Sequence, residues 1–196
     1  ISSQTTQQLD EVVVSDSKIN IPFSKNFRSI EVIDSKIIQE TAARNVIELL
    51  QLVTGLDIRR RGVSGTQADL YIRGGGFDQT LLLIDGMKMD DIQTGHHTLN
   101  LLLPVQLIER IEIIKGPAAR IFGQNAFSGA INIITKALKK SNNKVVEIYA
   151  NDISYGSYDQ LNYSIKMRTS IEDKFNSLIS FHKTKSDGYR YNTDFK

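Results

Sequence analysis

No cysteine occurs among the 196 residues, which excludes disulfides and thiol chemistry and leaves the redox compartment undecided. There is no run of about 18 apolar residues either, so a transmembrane helix is excluded. A membrane is not, because barrel strands alternate in hydropathy and leave a weaker signal. The N-terminus lacks the basic-plus-apolar pattern of a signal peptide, and a chain opening at Ile1 reads as a mature form. Charge of one sign is scarce as well: the net charge of +2 selects no polyanionic partner. No nucleophile–base pair and no metal-ligand set emerges, and Gly74-Gly75-Gly76 is not followed by the Lys-Ser/Thr of a phosphate loop. We therefore expect no enzyme, no cofactor and no metal. Hydrophobic residues at 40% and charged residues at 23% describe a polar but ordered chain. Its length suits one domain, or a small domain with part of another.

What is present centres on Leu70 to Lys136. Ile72-Arg73-Gly74-Gly75-Gly76-Phe77-Asp78-Gln79-Thr80-Leu81-Leu82-Leu83-Ile84-Asp85-Gly86 reads as strand, glycine-lined loop, buried strand and tight turn. Leu81 to Ile84 shows no polar alternation, as expected of a strand covered on both faces. Leu107 to Pro117 reads as a short helical lead-in, a strand and a Gly-Pro stop, with Pro117 opening a short helix that Gly123 ends. Ala130 to Lys136 is a further strand. The two stretches "IRGGGFDQTLLLIDG" and "IERIEIIKGPAARIFGQNAFSGAINIITK" resemble the plug domain of TonB-dependent outer-membrane receptors. The resemblance covers residues 9 to 136 and, less closely, the rest. It implies an α+β plug with a small mixed sheet and short helices, followed by the first antiparallel strands of a transmembrane β-barrel.

Earlier in the chain, residues 1 to 8 are polar and cannot bury a core. Leu9-Asp10-Glu11-Val12-Val13-Val14-Ser15 looks like a strand without an obvious partner, and an edge strand of the same domain is one reading of it. In the resembled family such a segment is the TonB box, which would assign TonB binding to Asp10, Glu11, Val12, Val13 and Val14. An extended apolar segment on a flexible leader can add a strand to a partner's sheet. Asp16 to Ser29 reads as linker, broken by Pro22. Ser29 to Ile33 is a short strand, and Asp34 caps a helix. Asn45 to Leu52 reads as a helix from its apolar stripe, with Asn45 and Glu48 as an approximate capping box and Gly55 as the stop. Leu56 to Arg60 is another strand.

Arg59-Arg60-Arg61 is too short a basic run, with no interleaved aromatics, to predict nucleic-acid binding. Solvated charges on a sheet face are one reading of Arg73, Glu109, Arg110, Glu112 and Arg120. The resemblance implies another, a buried network tying plug to barrel. The loop Asp90 to Asn100 holds adjacent His96 and His97 with Asp90 and Asp91, but no spaced ligand completes a metal set. The family's plug carries two loops that form the floor of the substrate site, which here assigns substrate contact to Phe77, Asp78, Gln79, Gln93, His96 and His97. The pair "GGGFDQT" and "TGHHTLN" is most similar to the cobalamin receptor group, with ferric siderophores as the alternative substrate class. An enzyme or a soluble carbohydrate-binding module using the loop histidines is the rival outside the family.

Beyond a basic hinge at 137–143, three segments of alternating hydropathy run from Lys144 to Tyr155, Tyr158 to Arg168 and Phe175 to Lys185. About ten alternating residues with short turns mark outer-membrane barrel strands; a soluble three-stranded meander packed on the plug is the other reading. The division expected is a leader with TonB box at 1–24, a plug at 25–136 and an incomplete barrel piece at 137–196. The whole reads as the N-terminal part of a receptor in the outer membrane, N-terminus toward the periplasm, with the plug in the barrel lumen. Its partners are TonB and a large nutrient.

Overall fold

Apolar runs without polar breaks build the centre of the molecule. The computed structural model describes residues 13–14, 21–22, 30–62, 66–89, 91, 93–96, 98–99, 101, 103–136, 145–156, 159–171 and 174–188, apart from the side chains of residues 13, 14, 21, 22, 120 and 149–152. The chain divides into two units, one ending at Thr135 and another carrying the strands after Lys136.

In the first unit the strands are β1 (Val13–Val14), β2 (Ile21–Pro22), β3 (Ile30–Ile33), β4 (Leu56–Arg60), β5 (Ala68–Ile72), β6 (Thr80–Ile84), β7 (Met87–Met89), β8 (Ile108–Lys115) and β9 (Gly129–Thr135). Its short helices are α1 (Ser35–Glu40), α2 (Val46–Leu50) and α3 (Ala119–Phe122). Five strands form one sheet in the order β3-β8-β9-β6-β7. The β6–β9 pair is parallel and the others antiparallel, so the sheet is mixed as expected. Its middle strand is β9, flanked by β8 and β6. Those two strands do not pair with each other; β9 lies between them. β4 and β5 form a separate antiparallel hairpin.

Alternation along each central strand feeds two apolar clusters at once. Leu82, Ile111, Ile113, Ile131 and Ile133 face one core with Leu49, Leu50 and Ile72. Leu81, Leu83, Ile114 and Ala130 face another with Ala118 and Ala126. A strand buried on both faces has no side for polar residues, which is why Leu81 to Leu83 read as one apolar run. Each such Leu or Ile contributes about 1.5–3 kcal/mol through burial.

Local signals explain the element ends. Asp34 caps α1 by accepting from the Ile37 N–H at 2.9 Å. Asn45 Oδ1 accepts from the Glu48 N–H at 2.9 Å, while Glu48 reaches back to the Arg44 N–H at 2.8 Å, a capping box displaced by one residue. The helix expected to reach Leu52 stops at Leu50, and turns carry the chain on to Gly55. Its last apolar position, Val53, is nonetheless buried. Asp85 and Gly86 join β6 to β7 with φ of 49° and 78°, the two positive angles a tight hairpin turn requires. Asp85 is held there by the Thr135 N–H at 2.8 Å and hydroxyl at 2.7 Å, and the buried Asn132 accepts from the Gly86 N–H at 3.1 Å. Pro117 lies two residues before α3 rather than opening it, while Gly123 caps its end as expected.

Pro22 was expected to break any regular element, yet it lies in β2, where Val13–Val14 pair with Ile21–Pro22. A proline is tolerated in a strand paired on one side only, because its missing N–H faces no ladder.

The second unit is an antiparallel meander of β10 (Val145–Gly156), β11 (Gln160–Ile171) and β12 (Phe175–Lys185). Its register shifts between Ala150 and Asp152. Val146 and Ile148 are even-numbered and Ile153 and Tyr155 odd-numbered, yet all four oppose odd-numbered residues of β11. The bulge absorbs one residue and keeps one apolar face continuous where simple alternation along β10 fails. That face carries Ile165, Ile179 and Phe181 as well, all exposed. The opposite face carries Ser164, Ser170 and an Arg168–Glu147 ion pair at 3.0 Å. No helix among the described residues is long and apolar enough to cross a membrane.

Candidate functional site

The glycine loop owes its shape to a close approach. A Cβ on Gly75 would lie 1.7 Å from Ser128 Oγ, so any larger residue there displaces the segment leading into β9. The loop then forms a single 3-10 turn, Phe77–Gln79, that starts β6. Gln79 is exposed, and its carbonyl and side chain both contact Ser128, at 2.9 Å and 3.2 Å. Asp78 is exposed, and Phe77 half-buried.

The second loop braces itself. The Asp91 carboxylate accepts from the Gln93 N–H at 3.2 Å and the Thr94 hydroxyl at 2.6 Å, and the Asp91 carbonyl accepts from the Gly95 N–H at 3.0 Å. This folding turns His96 onto Phe77, with ring centroids 4.2 Å apart and planes inclined by 31°. Phe77 in turn meets the edge of Tyr71, and the Arg59 guanidinium covers the Tyr71 ring at 4.7 Å.

Beneath His96 lies Asp69, a carboxylate on β5 with a side chain only 5% exposed. It accepts from His96 Nδ1 at 2.8 Å and Gln67 Nε2 at 3.4 Å, and pairs with Arg61 at 3.5 Å. Burial pushes this carboxyl up. The hydrogen bonds from His96 and Gln67, with the charges of His96 and Arg61, outweigh burial and hold it below the ordinary carboxylate value.

Of the residues assigned from sequence, the structure thus brings Phe77 and His96 into contact. Asp78 and Gln79 follow Phe77 on the same turn, and Gln93 is exposed on the loop of His96. His97 lies outside the described residues, as do Asp10, Glu11 and Val12. Val13 and Val14 form β1. The charge cluster is partly assembled: the buried Glu112 receives Arg110 Nε at 2.8 Å, and Glu109 receives Arg110 Nη1 at 3.4 Å. Arg73 is exposed on a turn at φ 48°, its N–H bonded to the Gly55 carbonyl at 3.1 Å. The side chain of Arg120 is outside the described set. Both loops were expected opposite the N-terminal leader. Of the leader only residues 13–14 and 21–22 are described, so this expectation lies outside the described residues; within the sheet Ile30 is level with Ile114, Ala130 and Leu81 at the start of β6.

Sequence reasoning missed Asp69, Tyr71, Ser128 and Phe127, the last 64% exposed beside Ser128. Only Asp69 carried a signal, a carboxylate inside the apolar run Ala68 to Ile72. No group of three or more His, Asp or Glu among the described residues could hold a metal.

Comparison with known proteins follows the same lines. Residues 22–130 match the model of the TonB-dependent receptor plug domain. The chain is 33% identical over 153 residues to the vitamin B12 transporter BtuB of Vibrio vulnificus (strain CMCP6), covering 76% of this chain and 24% of that protein. It is 30% identical over 189 residues to the vitamin B12 transporter BtuB of Vibrio cholerae serotype O1 (strain M66-2), covering 96% and 30%. The fold is shared with the alcaligin outer-membrane receptor FauA of Bordetella pertussis, at a TM-score of 0.68 and 15% identity over 88% of this chain and 29% of that one. It is also shared with the siderophore receptor PiuA of Acinetobacter baumannii, at 0.67 and 18% identity over 91% and 23%. The chain spans 24–30% of the length of these vitamin B12 transporters.

Proposed function

This chain belongs to the TonB-dependent receptor plug-domain family, and from that premise we propose that it is the N-terminal part of an outer-membrane receptor importing a large nutrient, cobalamin before others. Residues 1–24 are the leader with its TonB box, 25–136 the plug and 137–196 the first barrel strands. The plug lies in the barrel lumen with its N-terminus toward the periplasm. Arg73, Glu109, Arg110, Glu112 and Arg120 tie it to the barrel wall.

The observation that carries the ligand site is the contact of Phe77 with His96, which joins two loops from distant parts of the chain into one surface. Phe77 offers an apolar face, and Asp78, Gln79, Gln93, His96 and His97 offer hydrogen bonds to a large, partly polar ligand. Cobalamin is favoured by the vitamin B12 transporters to which the chain is about one-third identical. The siderophore alternative rests on fold likeness at no more than 23% identity, which carries no substrate. For the box, Val13 and Val14 take up strand pairing with Ile21–Pro22, and we read them as a segment that exchanges this partner for TonB.

The test is made on the full-length receptor, with cyanocobalamin and a ferric siderophore as ligands. His96→Ala and Gln79→Ala should each weaken cyanocobalamin binding, and Val13→Pro should abolish energised uptake while binding survives. Unchanged affinity for both ligands in both loop variants would remove these site residues.

A further inference from the structure

Asp69 is a buried carboxylate on β5, a strand whose opposite face supplies the core. Its neighbours Ala68 and Leu70 are both buried in the larger apolar cluster. A charge in such a place persists only when it is well paired. Arg61 pairs at 3.5 Å from a side chain 62% exposed, and Gln67 at 3.4 Å; both flank the bend of the β4–β5 hairpin. The short contact, 2.8 Å, is with His96, 27 residues along the chain.

An ionised carboxylate can only accept, so this contact fixes the hydrogen on His96 Nδ1. In a neutral imidazole Nε2 is then the acceptor. The two ring nitrogens point to different sides of the ring, so Nε2 does not face Asp69. The His96 side chain is 31% exposed and lies against Phe77. The loop thus offers an acceptor nitrogen beside an aromatic ring, in an orientation that the buried carboxylate sets.

We propose that Asp69 is the positioning residue of the ligand surface: it holds His96 against Phe77 with Nε2 as acceptor for an N–H or O–H donor of the ligand. Amide-bearing ligands, corrinoids among them, present such donors. The inference rests on the reading that these two loops contact ligand.

The experiment uses the full-length receptor in detergent, with cyanocobalamin as the probe. Affinity is measured for the wild type, Asp69→Asn, His96→Ala, Phe77→Ala and the Asp69→Asn/His96→Ala double variant, and ring ¹⁵N shifts are recorded on ¹⁵N-histidine-labelled receptor. The His96 signal is identified by its loss in His96→Ala. Asp69→Asn should weaken binding about tenfold, the scale of one charge-assisted hydrogen bond. It should weaken binding no further once His96 is alanine, as for residues acting as a unit. The wild-type ring should carry its proton on Nδ1, and Asp69→Asn should disturb that pattern. If His96→Ala weakens binding but Asp69→Asn changes neither affinity nor ring pattern, the positioning role falls and the loop site stands. Equal losses from Asp69→Asn with and without His96 would make Asp69 a general support of the fold, which also overturns the role. If neither His96→Ala nor Phe77→Ala affects binding, the loop site and the role fall together. Should Asp69→Asn fail to assemble, the wild-type ring still decides: a neutral ring protonated on Nε2 alone overturns the proposal.

Discussion

The five-stranded sheet and the three-stranded meander carry comparable apolar side chains and expose them in opposite ways. In the sheet, adjacent residues such as Leu82 and Leu83 enter different cores and both are buried. In the meander Ile148 is 70% exposed and Ile153 80%, while Ser164 and Ser170 are buried. The first pattern belongs to a strand with protein on both sides. The second is inverted relative to a sheet in water and suits strands whose apolar side meets lipid. Where a residue sits in its sheet, rather than its hydrophobicity, decides what it contributes.

The largest effect expected from this contrast is in the sheet. Leu83→Ala should destabilise the chain by roughly 2–5 kcal/mol in urea denaturation, whereas Ile148→Ala should stay within about 0.5 kcal/mol. Equal effects would break the comparison. A charge on the meander sharpens it: Ile148→Lys should leave the chain's stability in water nearly unchanged, yet hinder membrane assembly of the full receptor by up to about 2–4 kcal/mol at mid-bilayer depth. Heat-modifiability on gels reads that assembly, and normal assembly of Ile148→Lys would argue that this face meets protein instead.

The smallest effect is in pH. Asp69 lies below the ordinary carboxylate value in the folded chain. Its stabilisation is therefore present above the unfolded value of about 3.9 and is lost as pH falls through the folded value. Asp69→Asn lacks this contribution at every pH. Its urea midpoint should lie below wild type at pH 7 and draw level only as the pH falls below the ordinary carboxylate range. A gap that persists in acid would mean that Asp69 acts through packing.

Much of this architecture was set locally and could be read in the chain. The Asp34 and Asn45 caps, the Asp85-Gly86 turn and the unbroken Leu81 to Leu83 run depend on neighbours within a few residues, or on burial that leaves no room for polarity. That the two loops act as a pair came from the resemblance to the receptor plug rather than from residue order. Tertiary structure decided what depends on long-range pairing. β9 takes the centre because parallel pairing with β6 and antiparallel pairing with β8 satisfy both of its edges. The bulge after Ala150 exists because the register against β11 must keep one face apolar. Pro22 enters a strand because Val13 reaches it. Asp69 shows the division most clearly. Its charge is written in the sequence, but its role depends on a histidine 27 residues away, brought within 2.8 Å only when the second loop folds back over the β4–β5 hairpin.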